Sequence, residues 1–493
     1  MILAAWIIVE IIFYAIYAFH LKPRAADISR STSQPYRGSY NQQCHPHRRH
    51  HLLFLRILDR LEAMSRLGNT NSKTDFNTFL RSWFSFEGKH ETKDIQKSND
   101  NKISIECARN TDHAIIDHDG IQEFFSWAFF NKFPDHLENW ERDEMKIMIN
   151  ILKEKYDIVY PKNTRASSDD KDYTRLKPRR CTLEQGNPLH RPFVLYLGVW
   201  ILRQFSYNLL RFLGYQRFHA ECDSTGKALL PYWFKPGCGD MIDTSAILFF
   251  HGITPAGIVG YLPFLRYCLL TGKRNHSSPV FLFENLPITY HLSFEALSEE
   301  ETVHGVEQAL RFHGFCENNC KLTLCGHSFG TFQLTWLLNA KRIRPMIHKF
   351  ILLDPVSILL SNSDLVLNVL YGGGDASKAA DEAASRKNKN RLIIRAAATS
   401  ELFIEHYLRR RFAWYNSELW IEDIPDHVEV HIFLAEHDSI INADEVRQEL
   451  DRHRLTKSIQ YTFWEGHAHG DCITNPKLWT DVSSSFKTHS KVD

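Results

Sequence analysis

The sequence has almost no net charge. Lysine and arginine total 59 and aspartate and glutamate total 58, so the bulk electrostatic attraction that drives nucleic-acid binding is missing. No phosphate-cradling glycine loop and no Cys-x-x-Cys pair occurs, and the ten cysteines are scattered from Cys44 to Cys472. Scattered cysteines in a chain of 493 residues point to reduced thiols in a cytosol-facing protein rather than to a disulfide framework. A mean hydropathy of −0.33 excludes a polytopic membrane protein. A single glycosylation sequon, Asn275–Ser277, is what chance supplies. Hydrophobic residues at 43% and charged residues at 24% are ordinary for a globular chain. No cofactor motif is present. The one histidine-rich stretch, His45 to His51, has no second ligand cluster at fixed spacing and reads as a basic segment near lipid headgroups rather than a metal site.

What is present begins at the N-terminus. Ile2 to Phe19 is apolar except for Glu10, and at about 1.5 Å per residue a helix of this length crosses most of a bilayer core. No basic residue precedes the run, as a secretory signal would require. Lys22, Arg24, Arg30 and Arg37 follow it. The positive-inside rule then places the rest of the chain in the cytosol. The expected organisation is a transmembrane anchor over 1–20, a basic tether over 21–50, a helical accessory region over 51–225, and a catalytic-type domain over 226–490. Polar stretches at 86–119 and 161–180 interrupt the accessory region. Its last segment, 193–218, is amphipathic, rich in aromatics and broken by Arg203, Arg211 and Arg217. It either lies in the membrane interface or packs on the domain core.

From about residue 230 short β-rich runs alternate with helical ones, at 246–250, 280–284, 321–325, 350–353, 428–435 and 459–464. Helices fit between them, over Glu299–His313 with Ser298 as its cap and over Thr331–Ala340. This alternation predicts an α/β fold with a mostly parallel sheet flanked by helices.

The run Leu322-Thr-Leu-Cys-Gly-His-Ser-Phe-Gly330 carries a G-x-S-x-G motif between a buried strand and a helix. That setting aims a serine hydroxyl above the sheet through a strained turn, and it makes Ser328 the candidate nucleophile. An acid and then a histidine should follow in the chain. Asp438 ends the strand 428–435 region and is the preferred acid; Asp354, after the previous strand, is the rival. Glu465-Gly-His-Ala-His-Gly470 offers two bases, with His469 preferred and His467 the alternate. Phe250-His-Gly-Ile253 ends an early strand, so the backbone N–H of Ile253, with that of Phe329 after the nucleophile, would form the oxyanion hole.

These residues resemble the α/β-hydrolase fold. More narrowly they resemble a poorly characterised group of membrane-associated α/β hydrolases of fungi, algae and protists. The matching segments are Phe79–Phe84, Glu123–Phe130, Pro231–Pro236, Phe250–Ile253, Asn285–Ile288, Gly326–Gly330, Leu352–Val356 and Glu465–His469. The resemblance implies the fold and serine-hydrolase chemistry and supplies no substrate. The long connection 356–425 sits where such proteins carry a cap, with Gly372–Gly374 as its expected hinge. Anchor, cap and amphipathic segment together suggest an acyl ester of lipid character as substrate and a membrane as partner. The same triad would serve acyl transfer to an alcohol, and a catalytically silent scaffold is the rival of a different class.

Overall fold

The computed structural model describes residues 2–28, 50–68, 72–86, 114–161, 174–222, 228–237, 245–270, 278–315, 320–371, 382–412 and 414–486. Most of the tether, parts of both polar insertions, the sequon and the expected hinge Gly372–Gly374 lie outside these residues. The chain forms two compact units, one chiefly Met1–Arg30 with Gln185–Asp493 and the other chiefly Gln42–Glu184.

The smaller unit is built on aromatic packing. Helices His50–Gly68, Ser72–Ser82, His118–Phe130 and Asn139–Tyr156 bring Phe54 onto Phe125 at 5.2 Å, Trp83 onto Trp127 at 5.4 Å and Phe76 flat onto Tyr156 at 5.6 Å. It is not purely helical as expected. Phe84–Phe86, Thr174–Pro178 and Ala114–Ile115 form a three-stranded sheet with the middle segment central. His50 and His51, from the histidine-rich stretch, both turn to the Glu144 carboxylate, which holds that carboxyl below the usual range once its burial is offset by these bonds.

The larger unit contains an eight-stranded sheet. In chain order its strands are β1 (Gln216–Glu221), β2 (Leu229–Lys235), β3 (Ser245–Phe250), β4 (Val280–Phe283), β5 (Lys321–His327), β6 (Ile347–Leu353), β7 (Glu429–His437) and β8 (Ile459–Ala468). Their spatial order is β1-β2-β4-β3-β5-β6-β7-β8. β3 to β8 run parallel to one another, while at one edge β2 pairs antiparallel with β4 and β1 pairs antiparallel with β2. The central strands are buried end to end, as in β4 and the Phe350–Leu353 half of β6. Both faces must therefore be covered by helices. On one face α2 (Phe193–Phe212), α3 (Leu262–Leu270) and α8 (Trp479–Ser485) close over Ile247, Phe249, Cys325, Ile351, Leu353, Phe433 and Trp464. The alternate residues of the same strands point the other way, towards α4 (Glu299–Phe312), α5 (Gly330–Asn339) and α7 (Ala443–His453). Helix α4 starts on a capping box, Ser298 with Glu301, which satisfies two N-terminal donors.

Two expectations are corrected. The helix predicted to run to 218 stops at Phe212, because Gly214 takes a left-handed φ of +88° and turns the chain into β1. The unit boundary falls at Gln185 rather than 226, so α2 and β1 belong with the large sheet and not with an accessory region. The N-terminal helix α1 (Ile2–Ile16) continues through Tyr17–Leu21 to Ala26, and Ala5–Ala26 is long and apolar enough to cross a membrane. Within the connection 356–425, α6 (Leu402–Arg410) is buried along its whole length.

Candidate active site

The ends of β5, β7 and β8 converge at one point, with β6 between the first two. β5 runs straight into Ser328, which sits at φ +49°, a left-handed angle that costs a non-glycine residue about 1–3 kcal/mol. The turn is held from both sides. Ser328 N–H donates to the Leu353 carbonyl at 2.9 Å, while the Ser328 carbonyl accepts from the Thr331 N–H at 3.0 Å and its hydroxyl at 2.7 Å. α5 then begins at Gly330, so the serine stands at the positive end of a helix.

Gly330 is demanded by space. A Cβ there would lie 2.2 Å from the Phe250 carbonyl oxygen, a backbone atom that cannot yield. Gly330→Ala is expected to destabilise the fold by at least about 3 kcal/mol, the upper end for an overpacked core. Urea unfolding of the variant checks this, and a midpoint equal to wild type would contradict the close approach.

The candidate base and acid come from β8 and β7. His469 Nε2 accepts from Ser328 Oγ at 2.9 Å, and its Nδ1 donates to Asp438 Oδ2 at 2.6 Å. The other Asp438 oxygen accepts the N–H groups of Ile440 at 2.7 Å and Ile441 at 3.1 Å. With both oxygens engaged and no exposure, the carboxylate fixes the imidazole tautomer with its lone pair towards the serine. Burial would lower the His469 pKa, but the Asp438 carboxylate overrides it and raises it to about 9. A register shift in the β7–β8 pairing after Ala435 turns the end of β8 so that His469 follows directly beside Asp438.

The alternates occupy other places. His467 Nδ1 lies 2.7 Å from the Glu465 carbonyl and its Nε2 is 3.4 Å from Asn475, so neither nitrogen faces the serine. Asp354 is fully buried at φ +43°, but it is not bonded to His469. Its Oδ2 accepts the Gly470 N–H at 2.7 Å and the Cys472 thiol at 3.3 Å. It thereby ties down the loop that carries the histidine. Burial would raise its pKa, but the imidazoles of His327 and His469 and the Gly470 N–H hold it below the usual carboxylate range.

The candidate oxyanion side, at the predicted Phe250-His-Gly-Ile253 turn, is supported by Tyr261 and His327, which carry no sequence signature. Tyr261 Oη accepts the Gly252 N–H at 2.9 Å and donates to His327 Nδ1 at 2.8 Å. His251 Nδ1 donates to the Gly252 carbonyl at 2.8 Å and its Nε2 accepts the Asn285 N–H at 3.1 Å. Burial pushes its pKa down to about 4, which keeps the imidazole neutral, and both its nitrogens are engaged by backbone. Gly252 lies so close to the elbow that a Cβ would meet Ser328 Cβ at 3.0 Å. The next N–H in the chain is that of Ile253. Among the described residues no acceptor takes the N–H of Ile253 or of Phe329, which leaves both donors available to a ligand oxygen. The ring of Phe329 is covered by Tyr407 of α6 at 5.6 Å and by Phe412 at 6.0 Å.

Among the described residues, two clusters gather three metal-ligating side chains within 4.8 Å, His327-Asp354-Cys472 and Glu422-Glu449-His453, with Glu422 exposed. In the first, the carboxylate oxygen and the thiol already bond each other, and in the second Glu449 is held by Arg452 at 2.6 Å.

No protein-family model matches the chain, and no curated protein matches it in sequence. Solved structures that resemble it include a thermophilic esterase from Thermogutta terrifontis, at 14% identity and a TM-score of 0.38, covering 55% of this chain and 97% of that one. Naproxen esterase from Bacillus subtilis is 11% identical with a TM-score of 0.38, covering 58% and 98%. Carboxyl esterase 2 from the fungus Tuber melanosporum is 16% identical with a TM-score of 0.37, covering 55% and 83%.

Proposed function

We propose that this protein is a membrane-anchored serine esterase of the α/β-hydrolase type. The observation that carries the reading is the unbroken chain of bonds from Asp438 through His469 to Ser328, with the serine on a strained turn between β5 and α5. Ser328 Oγ attacks the acyl carbonyl as His469 Nε2 takes its proton. The N–H groups of Ile253 and Phe329 stabilise the tetrahedral oxyanion, and each such donor is worth about 10²–10³ in rate. Collapse expels the alcohol, which receives the proton from His469, and leaves an acyl group on Ser328. Water, deprotonated by the same imidazole, then releases the acid and restores the serine. Ala5–Ala26 supplies the anchor, and the basic residues after it favour a cytosolic active site. The aromatic cover from the cap over Phe329 suits an apolar acyl chain.

A fluorophosphonate probe reacts with a serine only when a base activates it. Wild type in membrane fractions is expected to label and Ser328→Ala is expected to lose labelling completely, read by in-gel fluorescence. A folded wild type that stays unlabelled would overturn the esterase reading in favour of a silent scaffold.

A further inference from the structure

The one charge in the apolar N-terminal run has a partner within the protein. Glu10 Oε2 accepts the N–H of Phe193 at 2.8 Å and Oε1 accepts that of Val194 at 3.0 Å. The carboxylate therefore caps the start of α2, where helix donors lack intrahelical acceptors and the helix dipole favours a negative charge. Phe13 packs beside it on Phe193 at 5.3 Å and on Tyr196 at 5.7 Å, and Tyr17 Oη donates to the Pro188 carbonyl at 3.1 Å. α1 and α2 are thus joined side by side.

α2 is inside out for a helix in water. Its inward stripe carries the polar groups. Arg203 is only 7% exposed and donates to the Thr289 carbonyl at 2.6 Å, Tyr196 Oη donates to Glu401 at 2.6 Å, and Tyr207 Oη lies 3.4 Å from Glu284. Its outward stripe is Val194, Leu195, Ile201, Leu202, Phe205 and Phe212, with Phe205 at 62% exposure. A surface helix in water shows the opposite arrangement. α1 and its extension continue the apolar surface with Ile8, Ile11, Ile12 and Phe19. Isolated exposed apolar residues mean little, but a continuous apolar surface across two joined helices marks an interaction face.

We propose that α2 is immersed in the same bilayer as the N-terminal helix, the two forming one lipid-facing unit locked by Glu10. Lipid is the occupant that fits. The outward stripe of α2 carries no charge from Val194 to Phe205, and it adjoins a helix already long enough to span a membrane. Its two arginines do not oppose immersion, since Arg203 is turned inward and Arg211 lies in the last turn; Arg217 is outside the helix, in β1, and bonded to Glu284.

The unit also touches the oxyanion side. Arg203 holds the carbonyl and hydroxyl of Thr289, and the neighbouring Ile288 carbonyl accepts the Thr254 N–H at 3.2 Å, one residue from Ile253. Resting on the esterase reading, this places the site beside the bilayer and makes its substrate class a membrane-resident ester rather than a soluble one.

The test uses the full-length chain in phosphatidylcholine vesicles, with the photo-crosslinker p-benzoylphenylalanine in place of Phe205, of Phe19 as the anchor reference, or of Leu455, which is 98% exposed, as the aqueous reference. Lipid adducts are mapped by mass spectrometry. The expected result is lipid adducts at Phe205 in yield comparable with Phe19, and background at Leu455. Adducts at Phe19 with none at Phe205, or protein–protein adducts at Phe205, would overturn the proposal, the latter replacing lipid by a protein partner. Background at all three sites would overturn both the shared immersion and the anchor. Fluorophosphonate labelling of the same samples reports separately on the esterase reading, since the crosslinks do not depend on turnover.

Discussion

Replacing His469 with alanine is expected to lower ester turnover by about 10⁶-fold, the scale of removing the base from an interdependent triad. His467→Ala is expected to stay within a few-fold of wild type, as befits a side chain outside the reacting set. The contrast is large because the described imidazoles nearest the serine are engaged elsewhere. His467 is held by the Glu465 carbonyl and Asn475, His327 presents Nδ1 to Tyr261, and His251 has both nitrogens engaged with backbone. Without His469 the Ser328 hydroxyl keeps its proton, and what remains is the oxyanion donors and substrate binding. Initial rates with a p-nitrophenyl ester measure this directly. Equal losses from the two substitutions would show that the loop as a whole, and not Nε2 of His469, is what matters.

Asp438→Asn is expected to lower kcat by about 10⁴-fold, since an amide leaves the geometry but can hold the imidazole in the wrong tautomer. Its Nδ2–H₂ would donate to His469 Nδ1 and drive the ring proton onto Nε2, where it blocks acceptance from Ser328. The pH dependence carries an independent sign. His469 must be neutral to act as a base, so kcat/KM rises with pH through its pKa in the free enzyme. With Asp438 in place that value is raised to about 9, and the acid limb sits in the alkaline range. Removing the carboxylate removes the charge that opposes burial, so the limb moves to lower pH while the plateau falls. The same shift bears on stability. The folded value lies above the ordinary 6.5, so the pair's contribution is complete below pH 6.5 and fades as the pH climbs through about 9. A pH–rate profile of both proteins checks the prediction, and an acid limb unmoved by the substitution would contradict it.

The parts of the site that could be read from the chain are those whose chemistry is local. Gly326–Gly330 encodes a turn in five consecutive residues, and Asp438 and His469 each lie at the end of a strand whose apolar run is legible. The supporting residues are not local. Tyr261 meets Gly252 and His327 only because α3 folds over β3 and β5, and Asp354 holds Gly470 from 116 residues away. β1 and β2 carry little strand signal, for a physical reason. β1 alternates Arg217, His219 and Glu221 with apolar neighbours in an edge strand, and β2 contains Pro231, which cannot donate to a ladder and argues against a strand. α2 was recognised as amphipathic, but composition alone cannot say which face meets water and which meets the core. That answer required the partner of Arg203.

The connection between β6 and β7 leaves and re-enters the sheet at adjacent strands. Its ends are stitched by the Leu419 N–H on the Ser357 carbonyl at 2.7 Å, and Asp354 N–H on the Phe433 carbonyl at 2.9 Å pins the strands themselves. Everything between Ser357 and Leu419 is therefore a closed excursion, while Ser328, Asp438, His469 and Gly252 are positioned by segments outside it. Closing a long excursion costs little more than closing a short one, because the entropy grows only with the logarithm of length. On the proposed esterase reading, the rings that cover Phe329, those of Tyr407 and Phe412, come from this excursion, and the triad comes from outside it. A chimera exchanging that stretch would have to preserve its ties to the rest of the large unit, such as the Leu189 N–H on the Ser400 carbonyl and the Asn368 amide on the Ile440 carbonyl beside Asp438.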